Sequence, residues 1–262
     1  MLYRLVSIIL SSAPFGLAFV LPHHGRALIK MAASPKSVLM VLTSNDKLGD
    51  LDEQTGWYLP EVAHPYDEFS AAGYSMTFAS PKGGVAPVSE DSVGATAEDP
   101  SCVNFYKEGS ATRALVDGTT KLSEVTDVST FDAVFFAGGF GTMWDFPDDP
   151  DVQRIAKDMF EGGKVVSAVC HGPCALVNVK LSDGSYLVSG KEVAAFTNDE
   201  EDQVQRRDKV PWTCHDKLAE RGAKCKEGPA WSATVAVDGK LITGQNPPAA
   251  KSTAEAVIAA LA

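Results

Sequence analysis

The stretch that decides the fold is KVVSAVCHGP, residues 164–173. Its apolar run, Val165–Val169, is continuous rather than alternating, which is typical of a strand buried on both faces of a parallel sheet. The run ends directly in Cys170, and the following Gly172 and Pro173 favour a sharp turn into a helix. Because ligands bind beyond the carboxyl ends of the strands in open α/β sheets, Cys170 occupies a position where a catalytic group is expected.

Apolar runs on both sides of this stretch predict further strands, separated by helical patterns. The predicted strands are Val38–Thr43, Ser75–Ala79, Asp132–Ala137, Lys164–Val169, an extended Glu192–Phe196, and a hairpin of Thr234–Val237 and Leu241–Thr243. The predicted helices are Glu61–Ala72, Pro150–Phe160, Asp199–Arg207, His215–Arg221 and Ser252–Leu261, and Lys82–Asp127 is an insertion with short helices. This alternation predicts a single doubly wound α/β domain, a parallel sheet sandwiched by helices, over residues 35–262.

The composition excludes several classes of protein. Apolar residues make up 45% and charged residues 22% of the 262 residues, which excludes wholesale disorder and a multi-span membrane protein. Lys and Arg number 23 against 34 Asp and Glu, giving a formal net charge of −11. An acidic surface without a basic patch repels phosphate backbones, so no nucleic-acid partner is expected.

The N-terminal segment differs from the rest of the chain. Residues 1–45 contain no Asp or Glu, and an uncharged stretch, Leu5–Pro22, precedes a basic run that ends at Lys30. This pattern predicts a leader over residues 1–34, a signal peptide followed by a transit segment, and Pro14 within the stretch argues against a membrane anchor. The expected location is a plastid or another organelle reached through the secretory pathway. The alternative is a cytoplasmic protein that begins at Met31.

Cysteine usage indicates a reducing compartment. The five cysteines are an odd number spread over more than a hundred residues, unlike a secreted disulfide scaffold. The spacing Cys170-x-x-x-Cys174 is a poor zinc signal, and no paired CxxC motif or H-E-x-x-H motif is present, so no metal site is predicted.

Cys170 is the candidate nucleophile. A helix that begins just after it would point backbone N–H groups at the sulfur, and the adjacent His171 could act as an acid–base partner. We therefore expect a thiol pKa below the reference value of about 8.5. The alternative is an inert core cysteine, which is the interpretation that we adopt for Cys174.

An imidazole at this position needs a carboxylate to orient it, and two loops could supply one. The first carries Asp199, Glu200 and Glu201 after the extended segment, and the sequence does not distinguish among them. The second carries Glu61 among apolar and aromatic residues, where desolvation should raise its pKa towards neutrality. The alternative role for Glu61 is that of a first-turn glutamate favoured by the helix dipole.

The glycines that follow the strand at 132–137 suggest backbone donors. The segment Gly138-Gly139-Phe140-Gly141 lacks both the GxGxxG spacing and the Lys-Ser/Thr of a phosphate-binding loop. Its amides are better suited to stabilising an oxyanion.

Several ordered motifs resemble the ThiJ/PfpI superfamily of class I glutamine-amidotransferase-like proteins, and within it the glutathione-independent glyoxalase group, also called glyoxalase III or D-lactate dehydratase. The similarity runs from about Lys36 to the C-terminus. The motifs that carry it are Ala168–Pro173, Gly56–Pro65, Trp144–Pro147, Gly190–Glu201, and Thr243–Pro247 with Ser252-Thr253.

The resemblance implies a flavodoxin-like fold in which Cys170 is the nucleophile, His171 its partner, Glu61 the carboxylate beside the sulfur and Glu201 the acid that orients His171. It also implies that amides around Gly139 and His171 form the oxyanion site. The expected reaction converts methylglyoxal and related 2-oxoaldehydes to 2-hydroxy acids, D-lactate in the case of methylglyoxal, without cofactor, glutathione or metal. The group also implies a homodimer and stress-response roles. One departure stands at Phe140, where the family usually has His.

Three alternatives to glyoxalase activity follow from the same motifs. A holdase chaperone or thiol sensor would act on unfolded proteins, and a protein deglycase would act on glycated proteins through the same cysteine. A glutaminase or peptidase would share the cysteine turn, but it requires a distant His followed two residues later by Glu. Downstream of the cysteine turn, the chain offers His215, followed by Asp216-Lys217.

Overall fold

The chain is described by a computed structural model over residues 35–262, which form one compact unit. The predicted leader, residues 1–34, lies outside the described residues. The strands are β1 (Ser37–Val41), β2 (Ser75–Ser80), β3 (Thr120–Lys121), β4 (Ala133–Phe136), β5 (Val165–Val169), β6 (Glu192–Val193), β7 (Lys224–Cys225), β8 (Val235–Asp238) and β9 (Leu241–Gly244). The α-helices are α1 (Pro60–Ala71), α2 (Glu90–Ala95), α3 (Pro100–Phe105), α4 (Ala111–Asp117), α5 (Thr142–Asp145), α6 (Pro150–Glu161), α7 (Asn198–Gln203), α8 (Cys214–Glu220) and α9 (Ala250–Leu261).

The main sheet has the strand order β3-β2-β1-β4-β5-β9-β8. Its pairs are parallel except for β8 and β9, which form the antiparallel hairpin predicted around Asp238-Gly239. The central strands β2-β1-β4-β5-β9 follow the flavodoxin order 2-1-3-4-5 when they are counted along the chain. The predicted flavodoxin-like fold is therefore confirmed, and the order reverses between β1 and β4.

The sheet is buried on both faces, which explains why its strands are continuous apolar runs. On β1, Val38 and Met40 contribute to one core, whereas Leu39 and Val41 contribute to the other. The first core is covered by α1 and α9, and the second is covered by α6, α8 and the segment after β5. Within residues 35–262, no helix is long and apolar enough to cross a membrane.

Three sequence predictions differ from the structure in detail. The segment after Cys170 is a short 3₁₀ helix, Gly172–Leu176, and not the start of an α-helix. The extended run at 192–196 contributes only β6, which pairs with β7 outside the main sheet. The helix predicted over 199–207 is the shorter α7, because Gln205 adopts a positive φ of 57° shortly after the helix ends.

The insertion at 82–127 packs beside the central strands. It forms α2, α3, α4 and the edge strand β3, which pairs with β2. Helix α3 packs on α1, the helix whose first turn carries Glu61.

Candidate active site

The backbone at Cys170 is held in an unfavourable conformation between β5 and the 3₁₀ helix. Its φ is 61°, in the left-handed region that non-glycine residues rarely adopt. The amide of Cys170 donates to Gly244 O at 2.9 Å, and its carbonyl accepts from Phe196 N at 2.9 Å. At Gly172, a Cβ would clash with the carbonyl oxygen of Phe136. The surrounding strands therefore impose the turn that presents this cysteine.

Cys170, His171 and Glu201 form a chain of buried polar contacts. The Sγ of Cys170 lies 3.3 Å from Nδ1 of His171, and Nε2 of His171 lies 2.7 Å from Oε1 of Glu201. The side chains of His171 and Glu201 are at most 1% exposed. When Nε2 of His171 donates its proton to Glu201, the Nδ1 lone pair faces the thiol. Such an arrangement can remove the thiol proton and stabilise the resulting imidazolium.

Of the three acids that the sequence could not distinguish, two have separate contacts in α7. Glu201 reaches His171, whereas Glu200 accepts hydrogen bonds from Trp231 N, Gln245 Nε2 and Asn246 Nδ2 at 2.8, 3.1 and 2.7 Å. Glu200 also closes a capping box with Thr197. The pattern Thr-x-x-Glu at 197–200 was the sequence signal for this structural role. Asp199 is exposed, and its side chain accepts a hydrogen bond from Gln203 Nε2 at 3.0 Å.

Glu61 lies in the first turn of α1 and is fully buried. Its Oε2 accepts the Gly138 amide at 2.9 Å, and its Oε1 has no hydrogen-bond partner among residues 35–262. Burial raises the pKa of Glu61 to about 8, and hydrogen bonds from Cys170 and Gly138 limit the increase. The predicted upward shift is confirmed, so Glu61 carries a proton at neutral pH.

The expected low pKa of Cys170 is wrong. Burial and the nearby Glu61 carboxylate raise the pKa of the Cys170 thiol well above its usual value. Only a five-residue 3₁₀ helix follows the cysteine, and the sulfur is shielded from water, so the predicted helix-terminus effect is outweighed. Cys170 therefore needs a base to remove its proton, and His171 is the basic group in contact with it.

Backbone amides predicted to stabilise an oxyanion adjoin the same turn. The amides of Gly139 and His171 make no backbone hydrogen bond within residues 35–262. A Cβ at Gly138 would lie 2.8 Å from His171 N, which shows how closely the two turns approach. Gly139 and His171 both line the cavity beside Cys170, so their amides are available to an oxygen that gains negative charge there.

A cavity of about 70 Å³ opens onto Cys170. The rings of Phe140 and Phe196 pack against the His171 ring at centroid distances of 4.4 and 4.6 Å. Phe140, which replaces the expected His, thus provides an apolar wall. The residues that line the cavity are Tyr58, Gly139, Phe140, Cys170, His171, Phe196, Val204, Trp231 and Pro247.

The roles of Tyr58 and Phe196 in this cavity were not predicted from the sequence, whereas core or pocket wall was the default expectation for Trp231. Trp231 has a φ of 62° and is held by Glu200 through its amide and by Gln203 through its indole nitrogen. No spacing pattern connects residues so far apart in the chain. Tyr58 stands three residues before Glu61, and its position beside a predicted catalytic acid was a usable signal.

Within residues 35–262, one group of side chains has the atoms and the spacing to hold a metal ion. Nitrogen, oxygen and sulfur atoms of His64, Asp99 and Cys102 lie within 4.8 Å of one another. His64 Nε2 pairs with Asp99 Oδ2 at 2.8 Å, and Asp99 Oδ1 caps α3 by accepting from the amides of Ser101 and Cys102. These contacts give the carboxylate and the imidazole a structural role between α1 and α3.

Comparisons with known proteins agree with the fold. The profile of the DJ-1/PfpI family matches residues 56–260. Glyoxalase 3 of Candida albicans is 32% identical over 85% of this chain and 97% of its own length, and glutathione-independent glyoxalase hsp3102 of Schizosaccharomyces pombe is 31% identical over 80% and 90%. The crystal structure of Rapid Encystment Protein 24 KDa from Francisella tularensis superposes with a TM-score of 0.82 at 37% identity, covering 87% of this chain and 99% of that one.

Proposed function

Since this chain belongs to the DJ-1/PfpI family, we propose that it is a glutathione-independent glyoxalase that converts methylglyoxal and related 2-oxoaldehydes to 2-hydroxy acids. The observation that carries the proposal is the buried chain Cys170–His171–Glu201 with Glu61 beside it, opening onto a small cavity. This constellation supplies a nucleophile, a base for that nucleophile and a carboxyl group that titrates near neutral pH.

The cavity supports a small substrate. A cavity needs about 10–15 Å³ for each water-sized group that it holds. A cavity of about 70 Å³ therefore holds roughly five such groups. Methylglyoxal has about that number of non-hydrogen atoms, whereas a glutathione adduct is several times larger. The size of the cavity thus favours the free aldehyde over its glutathione adduct.

The first step is addition of the cysteine to the aldehyde carbon, C1. His171 Nδ1 takes the thiol proton as the S–C1 bond forms, and Glu201 stabilises the imidazolium. The C1=O double bond opens, and its electron pair stays on O1, where the amides of Gly139 and His171 can donate to it. Protonation of O1 completes a hemithioacetal.

Glu61 then moves protons between carbons. Because its pKa is raised to about 8, Glu61 begins as an acid at neutral pH and can give its proton to O1. The resulting carboxylate removes the proton from C1, the C1=C2 double bond forms, and the negative charge moves to the C2 oxygen, which gives an enediolate. Glu61 then returns the same proton to C2, while the O1 proton passes to the C2 oxygen and the C1=O1 double bond forms again. The product is a thioester of a 2-hydroxy acid, and no oxidant or reductant is consumed.

Water completes the cycle by hydrolysing the thioester. Its hydroxyl group adds to C1, the C1–S bond breaks and the sulfur recovers its proton from His171, while the other proton of the water returns to Glu61. For methylglyoxal the acid released is lactate, and we propose the D form. The chirality depends on the face of C2 to which Glu61 returns the proton.

The test is D-lactate formation from methylglyoxal by the purified full-length protein without glutathione, measured with a D-lactate-specific dehydrogenase. We expect turnover in the wild type and none in Cys170→Ala. Cys225→Ser is the matched control, because Cys225 is a half-buried thiol on β7 and does not line the cavity. Absence of D-lactate in the wild type, or activity retained in Cys170→Ala, contradicts the proposal.

We further propose that residues 1–34 direct the protein to an organelle. A fluorescent fusion of this segment tests the proposal, and a diffuse cytoplasmic signal or a native N-terminus at Met31 would contradict it.

We also propose a homodimer, as the family resemblance suggests. Light scattering of the purified protein would detect it as twice the chain mass.

A further inference from the structure

The cavity beside Cys170 contains one polar side chain that has no assigned task. His171 is engaged at both ring nitrogens, and the indole nitrogen of Trp231 donates to Gln203 Oε1 at 2.6 Å. The hydroxyl of Tyr58 makes no side-chain hydrogen bond within residues 35–262, although Tyr58 lines the cavity with Cys170. We propose that the Tyr58 hydroxyl donates a hydrogen bond to the C2 oxygen of the bound substrate, an inference that rests on the glyoxalase function proposed above.

The backbone holds Tyr58 rigidly between the two catalytic turns. Its amide donates to Gly138 O at 3.1 Å, and its carbonyl accepts from Glu61 N at 3.0 Å. The next amide, that of Leu59, donates to Ser92 Oγ at 3.0 Å. A donor fixed in this way requires little reorganisation during the reaction.

During the reaction, negative charge develops on two oxygens of the substrate. Hydrogen-bond donors have been assigned above to only one of them. O1 lies on the carbon bonded to Cys170, and the amides of Gly139 and His171 are the donors assigned to it above. When Glu61 removes the C1 proton, the electron pair moves towards the oxygen on C2. The side chains of Phe140, Phe196 and Pro247, which also line the cavity, carry no hydrogen-bond donor for that oxygen.

Tyr58 has the chemical properties that this task needs. Burial, together with Glu61 and Cys170 nearby, raises the pKa of Tyr58 to about 12, so its hydroxyl remains a donor throughout the neutral range. A neutral donor stabilises the enediolate more than the neutral ketone, because hydrogen bonds strengthen as the acceptor gains charge. The hydroxyl donates without giving up its proton, and Glu61 still carries the proton from C1 to C2.

The test compares Tyr58→Phe with the wild type in the full-length protein, using methylglyoxal and methylglyoxal deuterated at C1. We expect kcat to fall on the order of a hundredfold, as it does when one oxyanion donor is lost, with KM changed less than about threefold. The deuterium isotope effect on kcat should be at least as large as in the wild type, because the step that loses stabilisation is removal of the C1 proton. Alkylation of Cys170 by iodoacetamide should be unchanged.

The matched control is Tyr66→Phe, because Tyr66 packs against Phe105 in the core cluster and does not line the cavity. An active wild type with unimpaired kcat in Tyr58→Phe overturns this inference alone. The same is true if the whole loss appears in KM, or if the isotope effect falls. An inactive wild type overturns the proposed function, and this inference falls with it.

Discussion

The carboxylate of Glu61 accepts the Gly138 amide at 2.9 Å, and this bond joins the first turn of α1 to the turn that follows β4. Glu61 is thereby held beside Cys170 with its side chain fully buried. The cost of burying its charge keeps it protonated at neutral pH. The contact with Gly138 positions Glu61, and burial, which this hydrogen bond only partly offsets, lets Glu61 donate a proton at neutral pH and then accept one.

Replacing Glu61 by Gln should lower kcat with methylglyoxal on the order of a hundredfold or more. Gln keeps an oxygen for the Gly138 amide but cannot move a proton between C1 and C2. Steady-state kinetics of D-lactate formation measure the effect. Glu68→Gln, on the same helix and paired with Lys251, should be close to wild type. Wild-type rates in Glu61→Gln would leave Glu61 with a purely structural role.

Glu61→Gln should also change how stability depends on pH. The folded protein keeps the Glu61 proton up to about pH 8, whereas in the unfolded chain the Glu61 pKa returns to its usual value of 4.5. The folded state therefore binds more protons in this window, and the wild-type free energy of unfolding falls as pH rises through it, by an amount on the order of a few kcal/mol. Thermal unfolding at several pH values should show that the stability of the variant increases relative to that of the wild type between about pH 4.5 and 8.

The variant should retain some pH dependence. Burial raises the pKa of Asp145 to about 7, and this carboxyl is unchanged in Glu61→Gln. A constant difference in melting temperature between the two proteins across this range would mean that Glu61 does not titrate differently in the folded state.

Alkylation of Cys170 should require alkaline pH. Since burial and Glu61 raise the pKa of its thiol, the rate of reaction with iodoacetamide should still be increasing at about pH 9. In Glu61→Gln the pH profile should move to lower pH, because the Coulombic contribution of the carboxylate is removed. Peptide mass spectrometry measures the rate, with half-buried Cys225 as the internal reference. A wild-type midpoint below about 8.5 would contradict the raised pKa.

Glu201→Gln should lower kcat/KM on the order of a hundredfold, with little effect on the melting temperature. The amide oxygen can still accept the Nε2 proton of His171, but it does not offer the charge that stabilises the imidazolium. The control is Asp202→Asn, the next residue in α7, which is exposed and pairs with Arg207. Equal activity of the two variants would remove Glu201 from the proton path.

Gly138→Ala should abolish turnover and destabilise the fold by about 1–3 kcal/mol. A Cβ at this position would lie 2.5 Å from Glu61 Oε2 and 2.5 Å from the carbonyl oxygen of Val169, closer than real Cβ contacts come. Gly94→Ala in α2 is the control, since a Cβ there meets no atom within 4 Å and alanine favours the helix. Calorimetry should show a lower melting temperature for Gly138→Ala and a higher one for Gly94→Ala, and steady-state kinetics should show activity only in Gly94→Ala. A fully active and stable Gly138→Ala would show that the turns after β4 and β5 can move apart without loss of activity or stability.

Much of the fold follows from local patterns. The continuous apolar runs of β1, β4 and β5 predicted a parallel sheet covered on both faces, and the cysteine at the end of β5 identified the edge that bears the site. The rise in the Glu61 pKa was also predicted, from the apolar and aromatic residues that surround Glu61 in the sequence. Each of these predictions relied on residues close together in the chain.

Tertiary structure decided which acid orients His171 and which proton state Cys170 adopts. Glu200 and Glu201 are adjacent in the chain, but the helix turns one towards Asn246 and the other towards His171, and that orientation depends on where α7 packs. The thiol pKa follows from burial and from Glu61, more than a hundred residues away, which outweigh the local helix-terminus effect that the sequence suggested. Electrostatic interactions depend on distance and dielectric, and both are set only when distant segments come together.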